Sequence, residues 1–91
     1  MQVTAVKVSL SQGEMVRAYV NITLDDCFVV RDLRIIHSSR GYLVAMPSRT
    51  RRDGKRVDIA HPITAEARRM IEEAVMAEYW KVVAESGSSI A

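Results

Sequence analysis

Residues 16–24, VRAYVNITL, put Val16, Ala18, Val20, Ile22 and Leu24 on one side of an extended chain, with Arg17, Asn21 and Thr23 facing away. A helix repeats its faces every 3.6 residues, so a period of two held over nine positions demands a half-buried strand. Residues 3–10 alternate in the same way, and the intervening SQGE supplies Gly13 for a tight turn. Two such runs joined by a turn form an antiparallel hairpin. The chain is therefore committed to a sheet that needs a second layer on its apolar face.

The rest of the sequence supplies more strands and that layer. Asp25 and Asp26 end the second run ahead of CFVVRDLRII, in which the apolar parity shifts from Phe28 and Val30 to Leu33 and Ile35. Such a shift predicts a bulge near Arg31 and Asp32. HSSRG is a turn cluster, and YLVAM after it is a strand ended by Pro47, which has no N–H for a ladder. Asp53 and Gly54 signal another hairpin, from which Val57, Ile59 and His61 continue as a fifth strand. Thr64 is placed to cap a helix, with Glu66 in its positive first turn. Ala67, Met70, Ile71, Ala74, Val75, Tyr79 and Val82 then recur at helical spacing as one apolar stripe. The fold class expected is α+β: a five-stranded antiparallel β-sheet, a meander, with a C-terminal α-helix packed on one face. In DIAHPI, Ile59 and Ile63 are expected to be buried, with His61 and Pro62 fixing the path into the helix, so that Ile59→Ala would cost about 2–4 kcal/mol.

A chain of 91 residues, 48% of them hydrophobic, has room for one core, expected over residues 1–85, with 86–91 as a disordered tail. The single cysteine, Cys27, excludes an internal disulfide, suits a reducing cytosol and reads as a small buried hydrophobe. The N-terminus alternates and forms no apolar leader, and no run is long enough to span a bilayer, so no membrane insertion and a cytoplasmic location are expected. A helix covering one face of a sheet leaves an edge or a face open, and pairing of two copies is the simplest cover. A homodimer is expected.

Catalytic constellations are sparse. His37 and His61 are 24 positions apart with no metal-ligand spacing, and His61 reads as an anchor for the turn into the helix. Glu72 and Glu73 are adjacent on a helix and diverge, and Gly-rich phosphate loops are absent. These observations point to a non-enzymatic protein with no metal, cofactor or small-molecule substrate.

The charge is uneven. Net charge is +2, yet residues 40–69 carry eight cations against Asp53, Asp58 and Glu66. Five of them, Arg49, Arg51, Arg52, Lys55 and Arg56, fall within eight positions on the arm between the fourth and fifth strands. Arg68 and Arg69, near the helix N-terminus, extend the same field. One reading is a solvated hairpin that keeps an edge from aggregating. The other is a phosphate-binding surface, favoured by the preponderance of arginine, whose planar fork grips phosphate oxygens bidentately. No aromatic is interleaved with the basic run and no groove-reading motif is present. Phosphate contacts would therefore dominate and sequence preference would be weak.

At FVVRDLRII, GYLVAMPSR and DIAHPITAEARRMIEEAVMAEY the chain resembles the bacterial stage V sporulation protein G family, whose members are named septation proteins. The most specific stretch is VAMPSR followed, after a basic turn with a glycine, by DIAHPI. The resemblance runs from residue 1 to about Tyr79. It implies an antiparallel sheet with a C-terminal helix, homodimers formed through sheet contacts, roles in septation, spore cortex formation and capsule or virulence regulation, and DNA or RNA binding by several members. On this chain the family's basic segment falls on Arg49, Arg51, Arg52, Lys55 and Arg56. The function expected is a dimeric regulator that binds nucleic acid through this arm; the alternative is a protein-interaction module in septation or envelope regulation.

Overall fold

The computed structural model describes residues 1–86. Four strands, β1 (Val3–Leu10), β2 (Val16–Leu24), β3 (Phe28–Ser38) and β4 (Gly41–Ala45), form an antiparallel sheet in chain order. Two further short strands, β5 (Ser48–Thr50) and β6 (Arg56–Asp58), pair only with each other, and one helix, α1 (Ala65–Glu85), comes last. The α+β class and the meander are as expected, but the single five-stranded sheet is not: the last strand does not join the main sheet. Pro47 explains the break. It has no N–H with which to extend the β4 ladder, so the chain leaves the sheet there and its arm folds back on itself as a two-stranded ribbon.

The apolar parity of each strand determines the core. Cross-strand pairing sets Val20 opposite Leu33, and Ala18 and Val44 on either side of Ile35. These side chains, with Ile22 and Met46, are buried beneath Ile71, Val75 and Tyr79 of α1. Those three helix residues recur every four positions, which keeps them on one stripe. The bulge falls where the parity shift placed it. Val20 pairs with Leu33 but Ile22 pairs with Val30, so Arg31 and Asp32 together oppose Asn21. Asp32 takes a left-handed φ of 68°, and its N–H donates to Asn21 Oδ1 at 3.2 Å. One extra residue thus returns Leu33 and Ile35 to the core face.

Thr64 caps α1, its Oγ1 accepting from the Ala67 N–H at 3.0 Å, with Glu66 in the first turn. At the other end the Ser86 N–H donates to the Val82 carbonyl at 2.9 Å. Ser86, expected as the start of the tail, therefore closes the helix; the remainder of that segment, 87–91, lies outside the described residues. Aromatic rings tie the C-terminal half of α1 to the β3–β4 hairpin: His37 stacks on Tyr42 at 4.3 Å, and Trp80 meets Tyr42 edge-on at 4.9 Å.

Three local expectations are corrected. The connection from β1 to β2 is a five-residue loop in which Gly13 is not among the left-handed residues, so no tight glycine turn forms there. Cys27 is exposed, because it lies in the reversal after Asp25 and Asp26, both at positive φ, outside either strand. Ile59 and Ile63 are 61% and 88% exposed. The strand predicted to run through Ile59 to His61 stops at Asp58, where the chain bends. After the bend Ala60 and Pro62 are half-buried and, with the exposed His61, line a cavity whose other walls include Met46 and Ile71. His61 Nδ1 lies 3.1 Å from the Pro62 carbonyl, to which it can donate, in keeping with its expected role at this turn.

Candidate nucleic-acid interface

The β5–β6 ribbon is closed by a three-residue loop that its sequence specifies. The Arg51 N–H donates to the Lys55 carbonyl at 2.7 Å and the Gly54 N–H to the Arg51 carbonyl at 3.0 Å. Asp53 Oδ1 accepts from the Lys55 N–H at 3.0 Å, and Gly54 takes a φ of 87°. A turn followed by one left-handed residue is a common three-residue hairpin, and glycine occupies that position without a Cβ penalty. All five arm cations are exposed on this ribbon.

Pairing sets Ser48 opposite Asp58, Arg49 opposite Val57 and Thr50 opposite Arg56. Side chains alternate along a strand, so Arg49 and Arg51 share one face of the ribbon with Lys55. Arg56 lies on the other face with Ser48, and Arg52 is at the tip. The charge is thus spread over both faces. Its neutralisation within the protein is slight: Asp53 lies 3.8 Å from Arg51, with both side chains about half exposed, and such pairs contribute little. Among the described residues, Arg49, Arg52, Lys55 and Arg56 have no carboxylate within ion-pair distance.

Arg68 and Arg69 stand apart from the ribbon. α1 packs on β1, β2 and β4 and contacts neither β5 nor β6, so the helix arginines form a second basic position. Arg68 is engaged by Glu72 one turn on, at 3.7 Å. Sequence reasoning missed Arg34, which the structure brings to the ribbon: its Nη2 lies 3.4 Å from Ser48 Oγ, where Arg56 Nη2 also donates at 2.8 Å. A signal was available. Arg34 sits between Leu33 and Ile35, hence on the opposite sheet face, and the hairpin turn at Ser39 and Arg40 pairs it with Ala45, three residues before Ser48.

These features define a small α+β domain that carries a cationic β-ribbon beyond one end of a four-stranded sheet. A family model described as SpoVG matches residues 1–81. The chain is 51% identical over 79 residues to a protein of Anaeromyxobacter sp. strain Fw109-5 named "Putative septation protein SpoVG", covering 87% of this chain and 81% of that one. A protein of the same name from Bdellovibrio bacteriovorus is 48% identical over 90 residues, 99% of this chain and 83% of the relative. Another, from Caldicellulosiruptor bescii, is 45% identical over 85 residues, 91% of this chain and 96% of the relative. The chain belongs to the SpoVG family.

Proposed function

We propose that this protein is a dimeric, non-enzymatic, cytoplasmic regulator acting in septation, as the names of its relatives suggest, and that it binds DNA or RNA through the β5–β6 ribbon. The observation that carries the reading is the ribbon itself: five exposed cations on a short hairpin, with Asp53 the only carboxylate paired to any of them among the described residues. Uncompensated guanidinium groups on a projecting hairpin attract a polyanion and grip its phosphates. No aromatic ring lies within the ribbon, so the contacts fall on the backbone and discriminate sequence weakly. Two copies would present two ribbons at a fixed separation, raising avidity on a long strand without a new contact. The absence of a helix long and apolar enough to cross a membrane, among the described residues, is compatible with this setting.

The test is a salt titration of binding to duplex DNA, single-stranded DNA and RNA of unrelated sequence. Log affinity is expected to fall linearly with log salt, at about −0.7 to −0.9 per phosphate neutralised. Replacing Arg51 and Arg52 together by Ala is expected to shallow that slope by about two contacts' worth and to weaken all sequences by a similar factor. Normal binding by the double variant at every salt concentration would remove the ribbon as the contact surface and favour docking to an acidic protein.

A further inference from the structure

Ser48 is the point at which two cations from distant parts of the chain converge. Arg34 reaches it from β3 and Arg56 from β6, and both guanidinium groups donate to the same hydroxyl oxygen, at 3.4 and 2.8 Å. Their terminal nitrogens are therefore no more than about 6 Å apart. Like charges this close usually share a carboxylate, yet no carboxylate lies within ion-pair distance of either arginine among the described residues. Asp58, directly across the ribbon from Ser48, pairs with neither.

The hydroxyl chemistry completes the site. A serine oxygen has two lone pairs, and two donors already occupy them, so its own proton is left to point outward as a donor. Each guanidinium retains further N–H groups beyond the one used on Ser48. Arg34, Ser48 and Arg56 thus form a cluster of donors, two forks meeting at one hydroxyl, with the Asp58 carboxylate across the ribbon outside ion-pair distance of both arginines. A planar carboxylate is satisfied by one fork. A tetrahedral anion, with several oxygens directed apart, accepts from both forks and the hydroxyl together. The geometry points to Arg34, Ser48 and Arg56 as a seat for a single phosphate group, at the junction of the main sheet and the ribbon. For its nucleic-acid source the seat rests on the function proposed above; free phosphate is the other source of the same chemistry.

The experiment follows arginine side-chain Nε–H signals in the ¹⁵N-labelled full chain, titrated first with inorganic phosphate and then with a short single-stranded oligonucleotide bearing no terminal phosphate. The Arg34 and Arg56 signals are expected to shift saturably and further than those of Arg49 and Arg52. Ser48→Ala and Arg34→Gln are each expected to weaken phosphate binding about tenfold, in line with the loss of one charge-assisted or hydroxyl contact. Thermal melting checks the fold, and Ser48→Ala, which removes one atom, remains informative if Arg34→Gln fails to fold. The oligonucleotide is expected to shift the same two signals and to compete with phosphate. Saturable phosphate binding without that competition supports the seat and identifies free phosphate as its ligand. A non-saturating shift shared equally by all arginines overturns the seat. Phosphate and oligonucleotide binding both unchanged in Ser48→Ala and Arg34→Gln, with oligonucleotide binding lost in the Arg51, Arg52 double variant, overturns the seat and leaves the ribbon reading intact.

Discussion

Leu33 and Ile59 are both aliphatic residues in strand-like sequence, yet one is 0% and the other 61% exposed. The path of the backbone accounts for the difference: Leu33 is held in register between two strands, whereas Ile59 sits at a bend where β6 has ended. Leu33→Ala is expected to cost about 2–5 kcal/mol, because transfer energy is lost and a cavity remains, while Ile59→Ala should stay within about 0.5 kcal/mol. Urea denaturation of both variants checks the contrast, and equal losses would place Ile59 in an interface. Tyr79 offers a second test at this scale. Burial holds its phenol above the ordinary value, helped by the neighbouring Tyr42 and opposed by the charge of Arg17. The folded state therefore keeps that proton to higher pH than the unfolded chain, so the associated stability is present below about pH 10 and declines above it. Tyr79→Phe should flatten this alkaline limb of a stability–pH profile; an unchanged limb would assign it to other groups.

At the scale of elements, β1 to β4 and α1 were legible because each carries a local, repeating signal. Period-two alternation marks the strands, the parity slip at Arg31 and Asp32 marks the bulge, and Thr64 ahead of a four-residue stripe marks the helix. Thr64→Ala is expected to cost about 1 kcal/mol, since the Ala67 N–H would lose its acceptor at an exposed helix end. A thermal melt followed by circular dichroism measures this, and a loss near zero would mean that water replaces the cap at no cost. The β5–β6 ribbon was legible only as a hairpin. SRT and RVD are each three residues long, too short for alternation to show whether they join the sheet or pair with each other. Pro47 decided the matter by ending the β4 ladder.

At the scale of the molecule, α1 covers one face of the sheet and leaves the other open. Leu43 is 53% exposed there, opposite Ile36, Tyr19 and Val29 are exposed on the same face in other cross-strand rows, and β4 is an edge strand with one partner. An open edge beside exposed aliphatics invites a second copy. The expected assembly is a homodimer burying at least about 1,200 Å² in total. Sedimentation at micromolar concentration should show twice the 10.2 kDa chain mass. Leu43→Glu should yield monomers of unchanged helical content, because pairing would bury an unpaired carboxylate. A wild-type monomer would sink the dimer, and a dimeric Leu43→Glu variant would move the interface elsewhere.

The sequence alone determined the strand hairpins, the bulge, the helix and its cap, and the concentration of arginine on one arm, because hydrophobic period, turn chemistry and net charge are properties of neighbouring residues. Only the tertiary structure decided that the ribbon stays off the main sheet, that Ile59 and Ile63 are left exposed while Ala60 and Pro62 are half-buried, and that the Arg34 guanidinium reaches Ser48 beside Arg56. Those outcomes depend on where a chain goes after it leaves a ladder. Once Pro47 ends the pairing and the chain bends after Asp58, no local period carries a side chain's direction across the gap, and packing against the finished sheet sets it instead.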